Sequence, residues 1–152
     1  MSTLRQTADQ IISASIQAVL PDEAVRRALK DFRPEGRVFL VAAGKAAWQM
    51  AHAAVSALGS VEDGVVVTKY DHVKGDIPGV RCYEAGHPVP DANSFAATEK
   101  ALKLVHGLHP EDIVLFLLSG GGSACLKSRS FPEKSCKTSR GSSLPAARTS
   151  WR

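Results

Sequence analysis

Residues 112–124 read DIVLFLLSGGGSA, and this stretch decides the fold. The run IVLFLL has strand length and no polar face. A strand apolar on both sides belongs in a parallel sheet covered by helices on each face. Three successive glycines follow, between Ser119 and Ser123. Glycines permit positive φ and leave amides uncovered, so Ser119, Gly120, Gly121, Gly122 and Ser123 can form a nest of N–H donors for an anion. A flexible linker is the other reading, but linkers rarely follow an apolar strand of this kind. The GxSxG elbow of acyl hydrolases is absent.

Working outward, residues 37–43 (RVFLVAA) form a second apolar run of strand length. Gly44 and Lys45 follow it, then a segment rich in helix formers that Gly59 can end. Residues 63–70 (DGVVVTKY) and 79–86 (GVRCYEAG) read as further strands. Phe95, Thr98, Leu102, Val105 and Leu108 make a helical stripe before the strand at 112. Near the N-terminus, Leu4, Ala8, Ile11, Ile12, Ile16 and Val19 make an apolar helix face that Ser2 or Thr3 can cap. Pro21 suits the first turn of a second helix, with Val25, Leu29 and Phe32 buried. Alternating strands and helices predict an α/β fold, a three-layer αβα parallel sheet, with ligands at the carboxyl ends of its strands.

Three loops fall at those ends. Gly44-Lys45 sits between strand and helix, where glycine allows close approach and a helix start favours anions, making Lys45 a candidate phosphate or carboxylate ligand. A solvated surface lysine is an equal reading of the spacing, and the Walker A pattern is absent. The triple-glycine loop is the second. In EAGHPVPD, Glu84, His87 and Asp91 can orient a hydroxyl or move a proton, although turn and cap bonds for His87 and Asp91 are the better reading of the residues alone. Asp71-His72 reads as a surface turn, and His52, His106 and His109 as helix-surface residues.

Composition removes other classes. Cys82, Cys125 and Cys136 make no CxxC pair and no metal spacing, which suits a reducing cytoplasm. The N-terminus has no secretory signal, and no apolar run approaches the ~18 residues of a membrane span, so no membrane partner is expected. The net charge of +4 belongs to the C-terminus: residues 125–152 carry seven Lys/Arg against Glu133, leaving −2 for the rest. Without interleaved aromatics this basic stretch is not read as a nucleic-acid arm.

Taken in order, VAAGKAAWQMA, GVVVTKY, EAGHPVPDANS and DIVLFLLSGGGSA resemble the N-terminal domain of the glycerate 2-kinase family. This is the MOFRL-associated group, in which some members are labelled hydroxypyruvate reductase. The resemblance covers about residues 4–124. It implies a Rossmann-like domain, incomplete here, and ATP-dependent, Mg²⁺-supported phosphorylation of D-glycerate at its 2-hydroxyl. It places the active site in a cleft shared with a C-terminal domain. Lys45 then contacts substrate or the transferring phosphoryl, residues 119–124 cradle phosphate or carboxylate, and residues 87–91 line the cleft. Metal ligands stay unassigned. Such a chain is expected to be a glycerate kinase by descent, inactive alone. The alternatives are a non-catalytic module binding a small phosphate or carboxylate and, more weakly, a hydroxypyruvate reductase, for which no GxGxxG follows any strand.

Residues 1–124 thus read as one domain and residues 125–152 as a separate, disordered basic tail. Seven of the tail's 28 residues are serine and its apolar residues follow no period. Back-translation with ordinary codons, read in a neighbouring frame, gives LLEKPLIPGEELQDITRQLLACGADIVE directly after Ala124. That string has the Leu pair, proline loop and amphipathic helix expected of the family, so the tail is read as a frameshift.

Overall fold

The computed structural model describes residues 3–128. Two helices open the chain, α1 (Leu4–Ala18) and α2 (Pro21–Leu29). Then come β1 (Val38–Ala43), α3 (Ala47–Leu58), β2 (Asp63–Lys69), β3 (Val80–Ala85), α4 (Ala92–Leu104), β4 (Ile113–Leu118) and a single turn, α5 (Gly122–Cys125). The four strands are parallel in the order β3-β2-β1-β4, which is the α/β sheet expected from the sequence.

Strand alternation divides the core in two. Leu40 and Ala42 of β1 and Val66 of β2 point to the side covered by α3, with Val25 and Leu29 of α2 packed beyond it. Phe39, Val41, Val65 and Val67 point to the other side, against Ala97, Ala101 and Leu104 of α4. The link from β2 to β3 has no helix; Ile77 in that loop is buried on the α3 side, and Trp48 Nε1 donates to the Gly75 carbonyl at 2.8 Å. Arg37 and Asp112 pair at the amino ends of β1 and β4 through two hydrogen bonds, 2.9 and 2.8 Å long.

The expectation that strands are covered on both faces is corrected for β4, and Phe32, expected to be buried, is half-buried. Helix α1 forms, with Thr3 and Gln6 in a capping box, but none of its residues is buried; Leu4 is 89% and Ile11 62% exposed. Its apolar face exists as read, and nothing among the described residues packs on it. Strand β4 is covered on one side only. Leu115 and Leu117 pack toward α3, while Val114, Phe116 and Leu118 stay exposed, because α4 lies over the β1–β3 part of the sheet. Leu102 shares this open side, at 53% exposure. An apolar groove of about 300 Å³ runs there between α4 and β4, lined by Ala101, Leu102, Val105, Val114, Phe116 and Leu126.

The fold continues past Ala124. Cys125 is fully buried, Leu126 packs on the α4 side of the core, and the Lys127 amide donates to Thr98 Oγ1 at 2.8 Å. The rest of the expected tail, residues 129–152 with Cys136, lies outside the described residues.

Burial sets the cost of mutation. Leu40 is wholly enclosed, so Leu40→Ala should lower unfolding free energy by about 2–5 kcal/mol in urea denaturation. Phe116→Ser, on the open face, should change it by less than about 0.5 kcal/mol and reduce light scattering from concentrated solutions.

Candidate functional site

The strand order places a switch point between β1 and β4. From β1 the chain moves outward to β2 and β3; from β3, through α4, it returns to the far side of β1. The loops leaving β1 and β4 therefore emerge side by side at the carboxyl edge, where open α/β sheets bind ligands. These loops are Gly44-Lys45 and residues 119–123.

Their fit is close. A Cβ on Gly44 would stand 2.4 Å from Ser119 Oγ and 2.7 Å from the Ser119 carbonyl oxygen, and its φ of 112° lies in glycine's range. The Lys45 amide donates to the Gly120 carbonyl at 3.3 Å, and the Ala46 amide to Ser119 Oγ at 3.0 Å. Ser119 Oγ in turn donates to the Ala43 carbonyl at 3.4 Å. Gly44 is buried and the Lys45 side chain exposed. Lys45 stands just before α3, which starts at Ala47.

The triple-glycine turn is less uniform than the sequence suggests. Only Gly121 has positive φ, at 84°. A Cβ there would fall 2.2 Å from His87 Nε2, so the imidazole lies against this glycine. Gly122 is buried against Leu118, whereas a Cβ on Gly120 would meet nothing within 4 Å. The Gly120 and Gly121 amides have no backbone acceptor among the described residues, while Gly122 N–H closes the turn on the Ser119 carbonyl at 3.1 Å. Both glycines are exposed, with open space beside Gly120 and the His87 ring beside Gly121.

The third expected loop joins the same place. His87, preceding a cis peptide bond to Pro88, reaches Gly121. Asp91 does something other than proton transfer. It caps α4, with Oδ1 accepting from the Ser94 amide at 3.0 Å and from Ser94 Oγ at 3.2 Å, while Oδ2 accepts from the Tyr70 hydroxyl at 2.6 Å. Burial, the largest single influence, raises its pKa; hydrogen bonds from Tyr70, the Gly86 amide and Ser94 together outweigh it and hold the carboxyl at about 2. Glu84 is likewise committed. It accepts from the amides of His72 (3.0 Å) and Val73 (2.9 Å), and its pKa is lowered, chiefly by the Val73 bond. Ser123 is exposed on α5.

Sequence reading missed three contributors. Tyr70 holds Asp91, Asn93 Nδ2 donates to the Tyr70 hydroxyl at 2.9 Å, and His72 Nδ1 lies 2.9 Å from the Lys45 carbonyl. No local pattern marks these bonds, since each joins segments about 20 residues or more apart. Polar residues directly after a strand were the available signal.

The donor set tests the expected metal. Mg²⁺ is held through one or two carboxylates together with phosphate oxygens and water. Both oxygens of Asp91 and Oε1 of Glu84 are engaged by protein donors, and among the described residues no group of three His, Cys, Asp or Glu could hold a metal ion. Asp91 therefore does not fit as a Mg²⁺ ligand. Lys45 and the amides of the glycine turn fit an anion.

Asp91 generates a pH prediction. Its folded pKa lies below its ordinary value of 3.8. The stability it confers is therefore complete above that value and is lost as pH falls through about 4 toward 2. Thermal melts across this range should show the loss, and Asp91→Asn, lacking the titrating group, should flatten it.

With this geometry in hand, comparison with known proteins is direct. Residues 7–135 match the family described as "Domain of unknown function (DUF4147)". The chain is 52% identical over 123 residues to D-glycerate 2-kinase of Thermotoga maritima, covering 80% of this chain and 29% of that one. It is 42% identical over 127 residues to an Agrobacterium vitis protein labelled a hydroxypyruvate reductase, covering 82% and 28%. The crystal structure of glycerate kinase from Thermotoga maritima superposes with a TM-score of 0.80 at 48% identity, over 86% of this chain and 32% of that one. The chain thus spans about 30% of the length of these relatives. The chain belongs to the DUF4147 family, the N-terminal region of glycerate kinases.

Proposed function

We propose that this chain is the anion-binding part of a D-glycerate 2-kinase and that it binds without turning over. The observation that carries this reading is that the Lys45 backbone bonds the Gly120 carbonyl at the β1/β4 switch point, which puts an exposed lysine beside a glycine turn whose residue 120 and 121 amides have no backbone acceptor among the described residues. A phosphoryl group in transfer carries charge on its equatorial oxygens, so a lysine and preorganised N–H donors suit it. They suit the glycerate carboxylate equally well. ATP is the phosphoryl donor in this reading, and its Mg²⁺ takes ligands other than Asp91. The chain's place is the cytoplasm, with small-molecule partners and no nucleic acid. Among the described residues no helix is long and apolar enough to cross a membrane.

Turnover needs more than a cradle. The 2-hydroxyl must lose a proton, and the carboxylates at this edge are tied up in capping and turn bonds. The second reading, a non-catalytic binding module, rests on the same observation and differs in having no catalytic partner segment. The reductase reading lacks a glycine-rich dinucleotide fingerprint after any strand.

The test combines binding and turnover. Amide chemical shifts of ¹⁵N-labelled chain should move at Lys45, Gly120 and Gly121 on adding D-glycerate or ATP. Lys45→Ala should weaken binding about tenfold to a hundredfold, the range expected for losing one charge-assisted bond. In ³¹P spectra the chain with ATP, Mg²⁺ and glycerate should form no phosphoglycerate; product formation would refute the inactivity. The frameshift is settled by the coding DNA: a single-base change just after the Ala124 codon should restore a family-like frame, and its absence rules the idea out.

A further inference from the structure

We propose that His72 is a positioning residue for Lys45, acting through the Lys45 carbonyl; this rests on the reading of Lys45 as the anion ligand. The geometry is a relay from β3 to the site. The Glu84 carboxylate gathers the amides of His72 and Val73 at 3.0 and 2.9 Å. Asp71, next to them, stands at φ 64°, in the left-handed region that non-glycine residues seldom take. Glu84 thus closes a turn with a backbone cost of its own, and one product of that turn is the placement of the His72 ring. Nδ1 lies 2.9 Å from the Lys45 carbonyl oxygen. A carbonyl only accepts, so Nδ1 carries the proton and donates.

This bond completes a grip on the Lys45 backbone from two directions. From the β4 side, Gly120 accepts the Lys45 amide and Ser119 accepts the Ala46 amide. From the β2 side the carbonyl accepts from His72, and from the Thr68 hydroxyl at the longer distance of 3.4 Å. The exposed Lys45 side chain forms no ion pair among the described residues. Its placement therefore depends on the backbone, and a long, rotamer-rich chain on a loosened backbone binds more weakly. His72 comes from a loop that contributes no other bond to this backbone, so its use as an anchor is specific to the lysine turn.

The test uses the full chain and a readout that needs no ligand. Backbone amide exchange in His72→Ala should lose about tenfold in protection at Lys45 and Ala46, the scale of one hydrogen bond. Leu40 in β1 should keep its protection. His72→Asn, whose Nδ2 can occupy the place of Nδ1, should restore the loss. His72→Phe keeps the ring volume without the donor and should behave like His72→Ala, which guards against a packing effect. Unchanged exchange in both His72→Ala and His72→Phe, or an equal loss in His72→Asn, overturns the proposal. D-glycerate titration is the second arm: affinity should fall with His72→Ala and His72→Phe and return with His72→Asn. A wild-type chain that shows the exchange pattern but binds no glycerate refutes the ligand reading and keeps His72 as the anchor of Lys45.

Discussion

The structure turns on the close approach of two loops at the end of adjacent parallel strands. Once β1 and β4 pair, the chains leaving them must share one small volume. Gly44 and Ser119 divide it with no room for a methyl group between them, since a Cβ would lie within 2.7 Å of Ser119 carbonyl and hydroxyl oxygens. Everything at the site follows from that crowding. It brings the Lys45 amide onto Gly120, the Ser119 hydroxyl onto Ala46, and the glycine turn beside a lysine. The sheet is thus both the scaffold and the reason that the anion-attracting groups converge.

The parts of this arrangement written locally could be read from the sequence. Apolar runs without a polar face gave parallel strands, and each loop with special backbone needs stood at a strand end. Asp91 shows the limit of such reading. As a residue in HPVPD it invited a role in proton transfer, with a helix cap as the plainer reading; the cap is what the structure holds, reinforced by Tyr70 from another strand end. His72 was read as part of a surface turn, which it is, but its ring bonds a carbonyl 27 residues away. Bonds of this kind depend on strand order, which no local pattern reports. The same reason explains α1. Periodicity marks an apolar face, yet whether anything covers that face is a tertiary matter, and here nothing described does.

The uncovered surfaces form a consistent set. Helix α1, the outer side of β4 and Leu102 are apolar and exposed together, while the α3 side of the same sheet is closed. A strand as apolar as IVLFLL is suited to two covered faces. The chain spans about 30% of the length of its relatives. An apolar strand at a sheet edge is a template for pairing, and β4 is such a strand.

At the site the division of labour is equally plain. The acidic groups are structural: Asp91 starts a helix and Glu84 closes a turn, both with lowered pKa because protein donors surround them. Lys45 is exposed, and the Gly120 and Gly121 amides have no backbone acceptor among the described residues. A carboxylate that already accepts two or more strong hydrogen bonds is a weak base, because every donor bound to it stabilises the ionised form. At this edge the carboxylates thus serve the fold, holding a helix start and a turn, while Lys45 and the glycine turn stay exposed.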